Sequence, residues 1–163
     1  MKSTPPLVPV LILSMVSTAS IARPRTEPPL GVGAGVVLGV PTGISLAYRV
    51  TSTRHFNAAL AWSVTHDSVH VHVDYLFEVM QIVDPNAPMY QFPLYSGIGA
   101  RVQIEPGVSQ SVAPLFGIRA PVGITFLPQV APFEVFAEIA AVMSLYPDTR
   151  VTFDGAIGAR YYF

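Results

Sequence analysis

The 163-residue chain has no cysteine, one lysine at position 2 and one tryptophan, and only 12% of its residues are charged. Without cysteine there can be no disulfide framework, thiol nucleophile or Cys-based zinc site, and no lipid-modified cysteine behind an export signal. The charged share is about half that of an average soluble domain, which excludes a disordered chain and argues against ordinary soluble packing. Nine basic and ten acidic residues give a net charge of −1 with no basic run, so the electrostatic footprint of a nucleic-acid binder is missing and no nucleic-acid partner is expected. Apolar residues are abundant, at 51% of a chain whose length suits one domain. This composition says more about where the protein resides than about any activity.

The N-terminus has the layout of an export signal. Lys2 forms a positive start, Leu7 to Val16 (LVPVLILSMV) is an apolar stretch, and Ser20-Ile21-Ala22 offers small residues at a cleavage site. Residues 1–22 are therefore expected to be a signal peptide cleaved after Ala22. The apolar run is short of the ~20 residues of a spanning helix, and Pro5, Pro6 and Pro9 break the segment. Cleavage would remove the only lysine and leave eight Arg against ten acids. Residues 23–29 (RPRTEPP) read as a Pro-rich extended tail, and residues 30–163 as the folded domain.

From Leu30 onward the hydrophobic period is two, and Pro, Gly and Asx breaks leave no room for a long amphipathic helix. Eight strands are predicted: Leu30 to Val40, Gly43 to Thr51, His55 to His66, Val69 to Val83, Leu94 to Glu105, Leu115 to Leu127, Phe133 to Tyr146 and Val151 to Phe163. They meet the ~9–11 residues that a tilted strand needs to cross a bilayer.

The two strand faces differ sharply. One carries Val36, Leu46, Leu60, Val73, Ile98, Ile118, Ile139 and Ile157 among many apolar neighbours and no charge. The other carries the mid-strand charges Arg49, Asp74, Glu78, Arg101, Glu105, Arg119, Glu134, Glu138, Asp154 and Arg160, interleaved with glycine and alanine. A soluble barrel would turn its apolar set inward and expose charge. Small residues between charges suit a crowded interior instead, so the sheet is expected to be inside out. In hydrocarbon only a closed barrel leaves no unpaired edge. The fold class expected is therefore all-β: an eight-stranded antiparallel transmembrane β-barrel with up-and-down meander connectivity. Its surroundings would be outer-membrane lipid, and it would be a monomer. Tyr48, Phe56, Phe126, Phe133, Tyr161 and Phe163 fall at strand ends on one rim, where an interfacial girdle is expected.

The ending Gly158-Ala159-Arg160-Tyr161-Tyr162-Phe163, with Tyr161 and Phe163 outward, resembles the terminal signature of bacterial outer-membrane barrels. That resemblance implies recognition by the barrel-assembly machinery. Length and arrangement are similar to the small eight-stranded OmpA/OmpX-type barrels. Pro41-Thr42-Gly43-Ile44-Ser45, Leu60-Ala61-Trp62-Ser63, Asp74-Tyr75-Leu76, Tyr95-Ser96-Gly97-Ile98-Gly99-Ala100-Arg101 and Arg119-Ala120-Pro121-Val122-Gly123 further resemble a family of uncharacterised outer-membrane β-barrel domains of spirochaetes and proteobacteria. The resemblance implies fold and compartment and carries no catalytic residues.

With both termini periplasmic, the outer loops would be Pro41 to Thr42, Asp67 to Ser68, Pro106 to Pro114 and Pro147 to Arg150, too short for loop-borne adhesion. The longest break, Asp84 to Pro93, would fall on the periplasmic side, against the usual asymmetry.

His70-Val71-His72 places two imidazoles on the inner face near Asp74 and Glu78, a spacing from which zinc can be bound. No third ligand can be assigned, so the expectation is a hydrogen-bonded lumen cluster with no metal and no cofactor. His66-Asp67-Ser68 faintly resembles the His-x-Ser pair of lipid A deacylases, but reads equally as a hairpin turn without an orienting acid. No enzymatic activity is expected. An eight-stranded barrel has room only for side chains, so the arginines and acids should pair as a plug; a narrow channel or a lipid-facing transporter is the alternative. Across the last hairpin, Glu138 and Arg160 are expected to form a buried ion pair, with Glu134 as the substitute partner and Arg101 and Arg119 competing for the same acids. The role expected is envelope structure or surface interaction.

Overall fold

The computed structural model describes residues 28–40, 42–63, 68–83, 85–87, 89–104, 114–147 and 149–163. The expected signal peptide 1–22 and most of the Pro-rich tail lie outside these residues. The described chain forms β1 (Gly31–Val40), β2 (Thr42–Thr51), β3 (Arg54–Ser63), β4 (Ser68–Val83), β5 (Tyr90–Ile104), β6 (Leu115–Pro128), β7 (Phe133–Tyr146) and β8 (Arg150–Tyr162). Each strand pairs antiparallel with the next and β8 pairs with β1, so the meander closes into a barrel with no edge.

Alternating sequence makes the two faces. On β2, Ser45, Ala47 and Arg49 are buried while Ile44, Leu46, Tyr48 and Val50 are exposed. On β7, Glu134, Phe136, Glu138, Ala140 and Val142 are buried while Val135, Ile139 and Met143 are exposed. Among the described residues the exposed charges are Arg54, at the start of β3, and Arg150, at the start of β8, on opposite ends of the barrel. Between them the outer surface is apolar. Its aromatics gather toward the ends. Phe56 meets Tyr75 at a centroid distance of 5.2 Å, Phe92 meets Phe126 at 5.4 Å, and Tyr161 meets Phe163 at 5.4 Å, all toward the end bearing the termini. Exposed Trp62, Phe116 and Tyr146 stand toward the other end.

The fifth strand begins earlier than its sequence suggested. Pro93 reads as a breaker, yet Gln91, Phe92 and Pro93 pair with Val83, Ile82 and Gln81. Proline lacks the N–H that a ladder needs, and the β5–β6 ladder accordingly passes from Gln91↔Leu127 to Leu94↔Ile124 without pairing between them. Pro121 lies on the same seam and is also skipped. The β4–β5 connection is thus 84–89, shorter than the 105–114 connection at the opposite end. The reversed loop asymmetry expected from a break over Asp84 to Pro93 disappears. Leu30 precedes β1, and β3 ends at Ser63 within the described residues; His66 lies outside them. A bulge between Glu78 and Met80 turns both Val79 and Met80 outward while Glu78 stays on the inner side. An added residue interrupts strict alternation in this way.

Candidate functional site

The interior is the chemically distinctive part of the molecule. Arg49 on β2 is 2% exposed and donates from Nη1 to Glu78 Oε1 and from Nη2 to Glu134 Oε2, both at 3.0 Å, and from Nε to the Tyr162 hydroxyl at 3.2 Å. Glu134 takes a second arginine: Arg160 Nη1 donates to its Oε1 at 2.6 Å. Arg160 also donates from Nε to Ser45 Oγ at 2.8 Å and from Nη2 to Asn57 Oδ1. Its guanidinium lies 4.1 Å from the centroid of the Phe136 ring, a cation–π contact. Glu134 therefore stands between two guanidinium groups, which is what allows a carboxylate to be buried in a charged state.

A second cluster sits around Arg119. It donates to Asp74 and to Glu138, whose other oxygen accepts from the Tyr95 hydroxyl at 2.8 Å. His72 Nε2 stands 3.7 Å from Asp74 Oδ2. Toward the opposite end, Arg101 donates to Asp154 Oδ2 at 2.7 Å and to Gln103 Oε1 at 2.8 Å. Glu105 lies outside the described residues.

The expected Glu138–Arg160 pair does not form. Register sets Glu134 opposite Arg160 and Glu138 opposite Ala156. Glu138 and Arg160 are then four residues apart along the hairpin, about 13 Å at strand rise. Arg160 takes the substitute partner Glu134, and Glu138 goes to Arg119, one of its competing bases. Strand period fixes which side of the sheet a residue occupies; it says nothing about register.

His70 and His72 face inward and are buried. His70 Nε2 shares a hydrogen bond of 2.7 Å with Ser68 Oγ, and among the described residues no group of three His, Cys, Asp or Glu side chains comes together to hold a metal. Ser68 is itself 2% exposed and turned to the interior, whereas a deacylase-like hydroxyl would have to face lipid headgroups. His66 and Asp67 of that triplet lie outside the described residues.

The sequence reading missed the neutral partners Tyr95, Tyr162, Ser45, Asn57 and Gln103. Their signal was present, because each lies at the inward parity of its own strand. Large apolar groups also fill the interior: Leu76, Phe136 and Val142 are each at most 3% exposed. The cavity bordered by Ser45, Asn57, His72, Arg119, Glu138 and Arg160 has a volume of about 10 Å³, no more than a single water requires.

No family model matches the chain, and no curated protein matches it. A solved structure does. The barrel is similar to the N-terminal β-barrel domain of Pseudomonas aeruginosa OprF. The likeness covers 84% of this chain and 98% of that one, with a TM-score of 0.58 at 10% sequence identity. At that identity the shared property is the fold: a closed eight-stranded antiparallel barrel.

Proposed function

We propose that the chain is a small integral protein of a bacterial outer membrane, exported by its N-terminal signal, inserted as a monomer by the barrel-assembly machinery, and serving envelope structure or surface interaction. One observation carries this reading: charge is inside, and an apolar outer surface runs between the aromatic clusters at the end bearing the termini and exposed Trp62, Phe116 and Tyr146 at the other. In water such a surface would be a large exposed apolar patch; in a bilayer it matches hydrocarbon flanked by interfacial girdles. The likeness to the OprF domain supports it through fold.

The lumen is read as a plug. Each described arginine of the interior has a carboxylate partner, and separating such pairs in a water-poor interior is costly. The role is then non-enzymatic, carried by the barrel as a membrane-embedded body. A narrow channel, opened by rearranged pairs, is the competing reading.

Three measurements test the proposal. The mature chain folded in detergent or lipid should change gel mobility between unheated and boiled samples, as closed barrels do, and should give no steady conductance in planar bilayers. Resolved open-channel steps would replace the plug with a channel, and a chain that stays soluble and monomeric without detergent would end the membrane reading. Loss of envelope integrity on gene deletion tests the structural role.

A further inference from the structure

The outer surface of β7 and β8 departs from the even apolar band. Pairing sets Ala137 opposite Ile157 and Ile139 opposite Gly155. Small residues thus occupy one diagonal of this cross-strand square, and isoleucines the other. Ile124 and Val122 on β6 oppose Ala137 and Ile139, and Leu38 on β1 opposes Ile157, which extends the walls on both sides. The result is a trough of about 580 Å³, within the roughly 300–1,000 Å³ range of clefts that hold small ligands. Its walls are bare: Ile139 is 68%, Ile157 61% and Leu38 61% exposed, and Ala137 and Gly155 are too short to cover their flanks. A Cβ added to Gly155 would meet nothing within 4 Å, so the floor is open.

We propose that this trough is a binding site for one acyl chain of a membrane lipid, held longer than the lipids against the rest of the barrel. The inference rests on the membrane reading above. The trough is continuous with the charge-free band, so hydrocarbon is what covers it. Between Ile139 and Ile157, diagonal neighbours about 7–8 Å apart, the passage over Ala137 and Gly155 admits a single polymethylene chain. Glu138 borders it, but its carboxylate is committed on the inner side to Arg119 and Tyr95, so nothing charged is offered to a polar ligand. A second barrel would meet this wall with a convex surface that cannot follow a concave trough. A flexible chain lying in it meets the flanks of Ile139 and Ile157 as well as the floor, and so gains dispersion contacts over a chain lying on an even surface.

The test uses the mature chain in phosphatidylcholine vesicles doped with a phosphatidylcholine that carries a mid-chain diazirine, with labelled residues located by mass spectrometry. Labelling at Ile139 and Ile157 should exceed that at Val73 and Leu60 on the far wall. The excess should be lost in Ala137→Leu/Gly155→Leu, which fills the trough. Gly155→Leu alone, whose side chain enters open space, serves if the double variant fails to close by gel mobility. Even labelling around the band, or an excess that survives filling, overturns the trough while leaving the membrane reading intact. Cross-links from Ile139 to another barrel would assign the trough to a second copy and also overturn it. Absence of label at Val73 and Leu60 as well would overturn the membrane reading itself, and the trough with it.

Discussion

Tyr95 lies over Gly123 and donates its hydroxyl to Glu138 at 2.8 Å, the three residues standing side by side on β5, β6 and β7. The same device recurs. Asp74 reaches over Gly99 to Arg119, and Phe136 lies over Gly158 against Val37. A residue without a side chain leaves room for the inner-wall side chain beside it to contact the strand after next. These glycines are therefore as much part of the network as the residues that bond across them.

Gly123→Ala is expected to destabilise the folded barrel by about 1–3 kcal/mol, because the added methyl overlaps the Tyr95 ring and forces an overpacked interior to move. Tyr95→Phe should cost about 1–3 kcal/mol through the lost donor to buried Glu138. Urea unfolding in lipid measures both. If the double variant loses the sum of the two, the glycine gap and the hydrogen bond are unrelated.

Glu134 and Arg160 should couple strongly in a double-mutant cycle, whereas Glu138 and Arg160 should be additive within about 0.3–0.5 kcal/mol. Strong coupling in the second pair would show that the β7–β8 register differs from the one described.

Removing a shared acid should cost more than removing an end one. Glu134→Gln strips a charge partner from both Arg49 and Arg160, and breaking a buried pair costs about 3–5 kcal/mol. Asp154→Asn leaves Arg101 still bonded to Gln103 and should cost less. Denaturation midpoints of the two variants in the same lipid give the order.

Val73→Arg, on an outward position of β4 that is half exposed, should destabilise the barrel in bilayers by about 2–4 kcal/mol. In a soluble protein an added surface arginine has little effect. Unchanged stability in vesicles would mean that this face does not meet hydrocarbon.

Sequence alone made the barrel legible because alternation is a local property. Arg49, Asp74, Arg101, Arg119, Glu134, Glu138 and Arg160 each fall on the charge-bearing parity of their own strand, among small residues, which is enough to assign faces and count strands. Register is a property of two strands at once, so the choice of Glu134 over Glu138 for Arg160 was beyond reach. The start of β5 was hidden by Pro93, whose missing N–H is tolerated because its seam with β6 is already interrupted. The inward place of Phe136 and Tyr95 followed from parity, but their reach over Gly158 and Gly123 again depends on register.

Several of the interior ion pairs join strands that are not neighbours: Arg49 of β2 with Glu134 of β7, Arg101 of β5 with Asp154 of β8, Arg119 of β6 with Asp74 of β4. A lone hairpin cannot make these bonds. On the membrane reading proposed above, any β-hairpin that entered hydrocarbon ahead of the others would carry naked charge, so the charged strands gain nothing by inserting singly. Curling of the whole sheet, neutralisation of its concave side and zipping of β1 to β8 are bound into one cooperative event dominated by contacts distant in sequence, the kind that makes folding slow. The pairing pattern thereby penalises every half-built barrel.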